Sequence, residues 1–289
     1  MINITHGDAD GIGCLSLLYK KFGDKFKVYF SSPKLINRHL LRIIENNDKN
    51  DTVYITDIAI NQEAIYLASY FKEVYWIDHH ETNYEELTKR VKVYIKKESS
   101  ATKVLSEYLD VKADYIDIID KIDSNKIESD IEKNFRDLIS AIRYFHPKSF
   151  DIYFISIAKS LARGYDIAKI INSNIELLQN FKKEIEKIFR DVDKRMYTIN
   201  NKVAIISSDT NIPSSYYLEY IKRKLNVNYD YIIILYTKNK RAEIRTLNNK
   251  NVLDIAKMFN GGGHEYAAGF SYDNESEVIK KLELLFSIT

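Results

Sequence analysis

Along the first hundred residues, short apolar runs alternate with amphipathic stretches, and several of the runs break into acidic or histidine-bearing loops. Residues 2–5, 27–30, 52–56, 73–77 and 91–95 read as strands. Ile12, Leu15, Leu17, Leu18 and Phe22 form an apolar face at helical spacing that Gly23 stops, and further helices are expected over 35–45 and 62–71. Strands and helices that alternate through connections of a few residues predict a parallel sheet with helices on both faces. Ser99, Ser100, Ala101 and Thr102 then offer an N-cap to an amphipathic helix running to Leu109.

From about residue 113 to 195 the pattern is helical, and its long final stretch, rich in Lys and Glu, reads as a connector. At Lys202 it changes back: strands are expected at 203–207, 231–236 and 241–245, with helices at 214–225, 252–259 and 275–286. Gly261, Gly262, Gly263 and His264 read as a loop before a short strand at 268–272. The fold class is therefore α/β, with an N-terminal parallel doubly wound sheet and a smaller C-terminal mixed-sheet α/β domain joined by a helical connector. The domain boundaries are placed at 1–170, 171–200 and 201–289.

Composition narrows the function classes. A chain of 289 residues, 45% hydrophobic and 29% charged, can bury real cores. A formal net charge of +2 provides no large basic field, so nucleic acid would have to be gripped by local clusters. The lone Cys14, read as a core residue of the first helix, excludes an intramolecular disulfide and a Cys-rich zinc site. No apolar stretch approaches the ~20 residues of a membrane span, and the first residues enter a strand without the basic and apolar regions of a signal peptide. A cytoplasmic protein with no membrane partner is expected.

The chemistry lies at the strand ends. The first strand leads into His6, Asp8 and Asp10, the third into Asp57, and the fourth into Asp78, His79 and His80. In an open α/β sheet, ligand sites form outside the carboxyl ends of the strands, where distant residues converge. Carboxylates and imidazoles without thiolates suit Mn²⁺ or Mg²⁺, with Zn²⁺ and Fe²⁺ also accommodated. The candidate ligands outnumber the needs of one ion, and paired ions ~3.5–4 Å apart clamp an in-line phosphoryl displacement. Asp57, a lone carboxylate between two clusters, is the natural bridge. A further acidic element offers either Asp123 or Asp120, with Asp123 preferred and Asp120 read as a helix-surface acid. Gly261, Gly262 and Gly263 with His264 can present N–H groups and an imidazole to a phosphate, and Arg245 can add a bidentate contact.

These residues together resemble the DHH phosphoesterases, in the branch whose second domain carries a GGGH motif. The loop from His6 to Gly11 resembles the first motif, Asp57 the second, Asp78-His79-His80 the name-giving third and Asp123 the fourth. Residues 259–270 resemble the signature of the DHH-associated C-terminal domain. The resemblance implies two Mn²⁺ ions, with His6 and Asp8 on one, Asp10, His79 and Asp123 on the other, and Asp57 bridging. It implies that Asp78 supports the site or touches a metal and that His80 faces the scissile phosphate. Arg245, Gly261, Gly262, Gly263 and His264 would bind the rest of the substrate.

Family II pyrophosphatases share the first motifs but lack the GGGH signature, and RecJ exonucleases carry additional domains. The two-domain form is most similar to NrnA-type nanoRNases, although its close His-x-Asp-x-Asp spacing is RecJ-like. The expected activity is hydrolysis of short single-stranded RNA or DNA to nucleoside monophosphates. The alternatives are a phosphatase or phosphodiesterase for pAp or for linear or cyclic dinucleotides, and an inactive nucleic-acid-binding scaffold. The resemblance also implies a homodimer. Tyr216 and Tyr217 are marked as a base-stacking pair, and Arg38 and His39 read as surface groups that can reach a phosphate.

Overall fold

The apolar runs of the first ninety residues become the strands of one parallel sheet, and the amphipathic stretches between them become its covering helices. In the computed structural model, which describes residues 1–80, 82–85, 89–224 and 229–287, the elements run β1 (Ile2–His6), α1 (Ala9–Phe22), β2 (Lys27–Ser31), α2 (Ile36–Asn46), β3 (Thr52–Thr56), α3 (Gln62–Ala68), β4 (Glu73–Asp78) and β5 (Val91–Ile95). Helices α4 (Ala101–Leu109), α5 (Ile116–Asp123), α6 (Asp130–Phe145), α7 (Phe150–Ala162), α8 (Ile167–Ser173) and α9 (Ile175–Arg190) follow. The chain divides into two compact units, Met1–Phe181 and Lys182–Thr289.

In the first unit the strand order is β2-β1-β3-β4-β5, all parallel. Alternation along each strand sorts its residues between two cores. Ile2, Ile4, Val53, Ile55, Val74 and Trp76 pack with Leu40 of α2 and Ile65 of α3. Tyr54 and Ile77 join the other core with Leu15 of α1, Leu105 of α4, Phe135 of α6 and Phe154 of α7. Cys14 is fully buried there, as expected.

The chain runs from β1 to β2 on one side and reappears as β3 on the other, so a topological switch point opens between the carboxyl ends of β1 and β3. Two local features shape that crevice. A Cβ at Gly11 would fall 2.0 Å from the His6 carbonyl oxygen, so only glycine lets α1 start this close to the end of β1. Beneath it, Thr56 donates to the Thr5 hydroxyl (2.9 Å), which donates to the Gly11 carbonyl (3.2 Å), satisfying polar groups buried between sheet and helix.

Helix α3 ends at Ala68, short of the predicted residue 71. The Tyr70 and Phe71 amides donate to carbonyls three residues back, and the tightened turn carries Phe71 into the core.

The second unit holds β6 (Met196–Ile199), β7 (Val203–Ser208), α10 (Ser214–Lys224), β8 (Tyr231–Tyr236), β9 (Arg241–Thr246), α11 (Leu253–Met258), β10 (Gly262–His264), β11 (Ala267–Ser271) and α12 (Glu275–Ser287). The predicted end of α10 at Leu225 lies outside the described residues. The six strands form a mixed sheet, β10-β11-β9-β8-β7-β6, in which β7 and β8 are parallel. Val203, Ile205, Ile233 and Ile244 pack with Ile255 of α11 and Leu282 of α12.

Two features depart from the sequence expectation. Strand β6 begins the sheet before Lys202, and its signal is Asn200-Asn201, both at positive φ (50° and 53°), in the turn to the antiparallel β7. The glycine run forms strand β10 instead of a loop, paired antiparallel with β11.

A candidate metal centre at the strand ends

Each candidate ligand is placed by a backbone feature that its own sequence supplies. His6 ends β1, and Asp8 caps α1 by accepting from the Gly11 amide at 3.1 Å. Asp10, in the first turn of α1 and 1% exposed, points its carboxylate at the start of α4 and accepts the Ala101 and Thr102 amides at 2.7 Å each. Orphan N–H groups and the positive end of the helix dipole favour an anion there. Asp57 follows β3 at φ 56°, a left-handed conformation that Asp tolerates at some cost, and its amide donates to the Ile77 carbonyl at 3.2 Å. Asp78 ends β4, His79 and His80 follow it, and Asp123 is the last residue of α5.

The side chains converge as the strand-end argument anticipates. His6 Nδ1 lies 2.6 Å from Asp8 Oδ2 and 3.9 Å from Asp57 Oδ2. His79 Nε2 lies 3.9 Å from Asp57 Oδ1, 3.9 Å from Asp10 Oδ2 and 3.5 Å from Asp123 Oδ2. Three sets have potential ligand atoms mutually within 4.8 Å: His6, Asp8 and Asp57; Asp10, His79 and Asp123; and Asp57, Asp78, His79 and His80. Asp57 therefore borders both its neighbours in sequence-distant clusters. His79 Nδ1 is 3.2 Å from the Glu98 carbonyl, which makes Nδ1 the protonated nitrogen and turns the Nε2 lone pair inward. His80 Nδ1 lies 2.9 Å from Oδ1 of the fully buried Asp78.

The electrostatics are those of carboxylates crowded together in the interior. Burial pushes the Asp57 carboxyl far above its ordinary range, and the Asp10, Asp8, Asp123 and Asp78 charges push it further. Burial, then the Asp10 and Asp8 charges, raises Asp123 in the same way, and burial followed by Asp8 raises Asp10. Asp8 departs the other way: burial opposes its ionisation, but the His6 charge and the hydrogen bonds from His6 and Gly11 outweigh it. Two buried atoms, His79 Nε2 and Asp57 Oδ2, have no hydrogen-bond partner among the described residues. A lone pair and a carboxylate oxygen left unmet in the interior, among crowded acids, fit divalent cations.

Helix α5 separates its two acids. Asp123 faces His79, whereas the Asp120 carboxylate accepts from the Ser99 hydroxyl at 2.6 and 2.7 Å and from Ser100 at 2.9 Å. The Ser99–Thr102 segment does more than cap a helix, because its amides hold Asp10 and its serines hold Asp120. That role was not read from the sequence, where the hydroxyls offered only a capping signal.

In the second unit, Arg245 Nε donates to the Ser214 hydroxyl at 2.8 Å and its Nη2 lies 3.3 Å from Glu243 Oε2. Gly263 sits at φ 141°, and a Cβ there would fall 2.5 Å from the Ala267 carbonyl oxygen. Gly261 is equally tight, at 2.3 Å from the Gly269 carbonyl oxygen, yet a Cβ at Gly262 would meet nothing within 4 Å. Packing thus accounts for two of the three glycines. The His264 imidazole lies outside the described side chains. Tyr216 and Tyr217 are no stacking pair: they are 6% and 1% exposed, and Tyr217 Oη pairs with the buried Ser208 hydroxyl at 2.5 Å. The apolar face of α10 turns them into the core. Arg38 is exposed, and His39 Nδ1 lies 2.9 Å from the Ser31 hydroxyl. No helix among the described residues is long and apolar enough to cross a membrane.

No protein-family model matches the chain. Among curated proteins it is similar to the oligoribonuclease NrnB of Bacillus subtilis, 24% identical over an alignment covering 94% of this chain and 72% of that protein. Among solved structures it shares its fold with the pGpG-specific phosphodiesterase PggH of Vibrio cholerae, at a TM-score of 0.66 and 14% identity over 99% of both chains. An exopolyphosphatase-related protein of Bacteroides fragilis aligns at a TM-score of 0.57 and 16% identity, over 99% of this chain and 91% of that one. The fold and the strand-end cluster thus stand beside whole-chain similarity to an oligoribonuclease.

Proposed function

We propose that the chain is a DHH-type phosphoesterase that hydrolyses short single-stranded oligonucleotides to nucleoside monophosphates with two divalent ions, Mn²⁺ first among them. The observation that carries the reading is Asp57, whose Oδ1 lies 3.9 Å from His79 Nε2 while its Oδ2 lies 3.9 Å from His6 Nδ1. A carboxylate facing two ligand sets at once suits a bridge between two ions. His6 and Asp8 are assigned to one ion, Asp10, His79 and Asp123 to the other, and Asp57 to both. When bound, such ions polarise a phosphoryl oxygen and lower the pKa of a water.

The remaining residues position and bind. The α4 amides keep Asp10 from swinging, and the Glu98 carbonyl keeps the His79 lone pair inward. Asp78 holds His80 through Nδ1, and His80 is assigned to the scissile phosphate. In residues 201–289, Arg245, Gly261, Gly262, Gly263 and His264 are assigned to substrate binding. The open space around Gly262 supports a backbone left accessible to a ligand.

The substrate class follows the similarity to the NrnB oligoribonuclease. A second reading limits the substrate to linear dinucleotides, in line with the name of the Vibrio cholerae structure. The test is product-resolved hydrolysis of 5′-labelled RNA and DNA ladders from dinucleotide to about twenty nucleotides, with Mn²⁺ and with chelator. Metal-dependent mononucleotide release along the short ladder supports the first reading, and cleavage confined to dinucleotides supports the second. No cleavage in Mn²⁺ overturns both and favours a binding protein.

A further inference from the structure

One charged group beside this centre has no part in the assignments above. Arg143, near the end of α6, reaches over Gly7, the residue between His6 and Asp8: a Cβ at Gly7 would fall 3.0 Å from its Nη2. The guanidinium carbon lies 5.1 Å from the centroid of the Phe150 ring, at the start of α7. Phe150 is itself braced by Phe30 and Phe154, with ring centroids 5.7 and 5.2 Å away. Among the described residues no carboxylate pairs with the Arg143 side chain and no oxygen accepts a hydrogen bond from it.

An arginine beside a carboxylate would ordinarily spend its N–H groups on it. Here Asp8, the acid whose charge acts on Arg143, is engaged by His6 and the Gly11 amide instead. The charge is nevertheless felt at the ligands: the Asp8 charge holds the His6 pKa above its ordinary value and Arg143 opposes that rise, while burial lowers the Arg143 pKa and Asp8 raises it. An aromatic face restrains a guanidinium without occupying its in-plane donors, so the fork is held in place with its hydrogen bonds unspent. A planar fork matches two oxygens of a phosphate, which lysine, a point charge, does not.

We infer that Arg143 is a substrate-binding residue, its fork contacting non-bridging oxygens of the phosphate that lies against the His6–Asp8 loop. This rests on the phosphodiesterase reading above, and it adds a cation on the first unit to the contacts assigned there. The bland alternative is an arginine that merely packs on Phe150.

The test compares wild type, Arg143→Met and Arg143→Lys. Methionine keeps the aliphatic packing on Phe150 and removes charge and donors, whereas lysine keeps the charge without the fork. Hydrolysis of a labelled RNA trinucleotide in Mn²⁺ is measured beside binding of a fluorescent trinucleotide with phosphorothioate linkages and the Mn²⁺-induced rise in melting temperature. The expected loss in kcat/KM is about 10²–10³-fold for methionine, smaller for lysine, with weaker trinucleotide binding and an unchanged Mn²⁺ effect on melting. Methionine that turns over and binds the trinucleotide like wild type overturns the inference and leaves the phosphodiesterase reading intact. If wild type cleaves nothing, that reading fails, and the binding comparison still decides the role of Arg143. A variant that loses the Mn²⁺ effect would make Arg143 a support of the ion ligands and would also overturn the inference.

Discussion

His79 Nε2 and Asp57 Oδ1 stand 3.9 Å apart, and the imidazole nitrogen, like the other Asp57 oxygen, has no hydrogen-bond partner among the described residues. Two groups brought this close without a bond between them, among crowded buried acids, suit a shared divalent cation.

Asp57→Asn tests the charge without disturbing the backbone, because Asn also tolerates the left-handed conformation at φ 56°. In chelator this variant is expected to melt above wild type, since a buried carboxylate crowded by other acids has been neutralised. In Mn²⁺ the order is expected to reverse, with turnover lost. Differential scanning calorimetry in both conditions checks this, and a variant less stable than wild type in chelator contradicts it.

The same crowding sets a pH dependence for the metal-free protein. The carboxyls of Asp57, Asp123 and Asp10 are raised by burial first and by neighbouring carboxylates second. Folded protein therefore holds protons that unfolded chain releases above about pH 4, so stability falls as pH rises from there towards the raised folded values. Urea midpoints in chelator are expected to be lower at pH 8 than at pH 5.5, and the stabilisation by Mn²⁺ larger at pH 8. Asp57→Asn should flatten the metal-free slope.

Asp120 and Asp123 are expected to separate by function. Asp123→Ala removes a carboxylate 3.5 Å from His79 Nε2 and should abolish turnover and reduce Mn²⁺ affinity. Asp120→Ala breaks the bonds from Ser99 and Ser100 and should cost about 1–3 kcal/mol of stability while turnover persists. Paired denaturation and activity assays decide; equal losses of activity would refute the separation.

Gly11→Ala is expected to destabilise the first unit by more than about 3 kcal/mol, because the added methyl meets the His6 backbone and neither partner can yield cheaply. A chemical-denaturation midpoint within error of wild type would show that α1 can back away from β1.

The second unit offers a contrast between adjacent glycines. Gly263→Ala places a side chain at φ 141° against the Ala267 carbonyl and should lower the melting temperature. Gly262→Ala meets open space and should fold normally, with its effect confined to KM if the backbone there receives the substrate. A Gly262→Ala enzyme with wild-type KM would remove that position from the binding site.

The amino-acid sequence by itself determined the strand–helix alternation, the turn and cap residues, and the placing of acids and histidines immediately after β1, β3 and β4. These are local matters: period-two and helical hydrophobic patterns specify elements, and parallel strands have only one end at which such residues can meet. Only the tertiary structure decided which neighbours converge. Asp120 and Asp123 share one helix, and the rotation set by Ile119 in the core sends one to the serines and the other to His79. Tyr216 and Tyr217 were drawn inward by the packing of α10, the glycine run was recruited as an edge strand by pairing with β11, and Arg143 was carried over Gly7 by the packing of α6 and α7. Apart from the tyrosines, whose inward turn follows the apolar face of α10, these outcomes have no local signal, because each depends on how the surface of one element meets another far away in the chain.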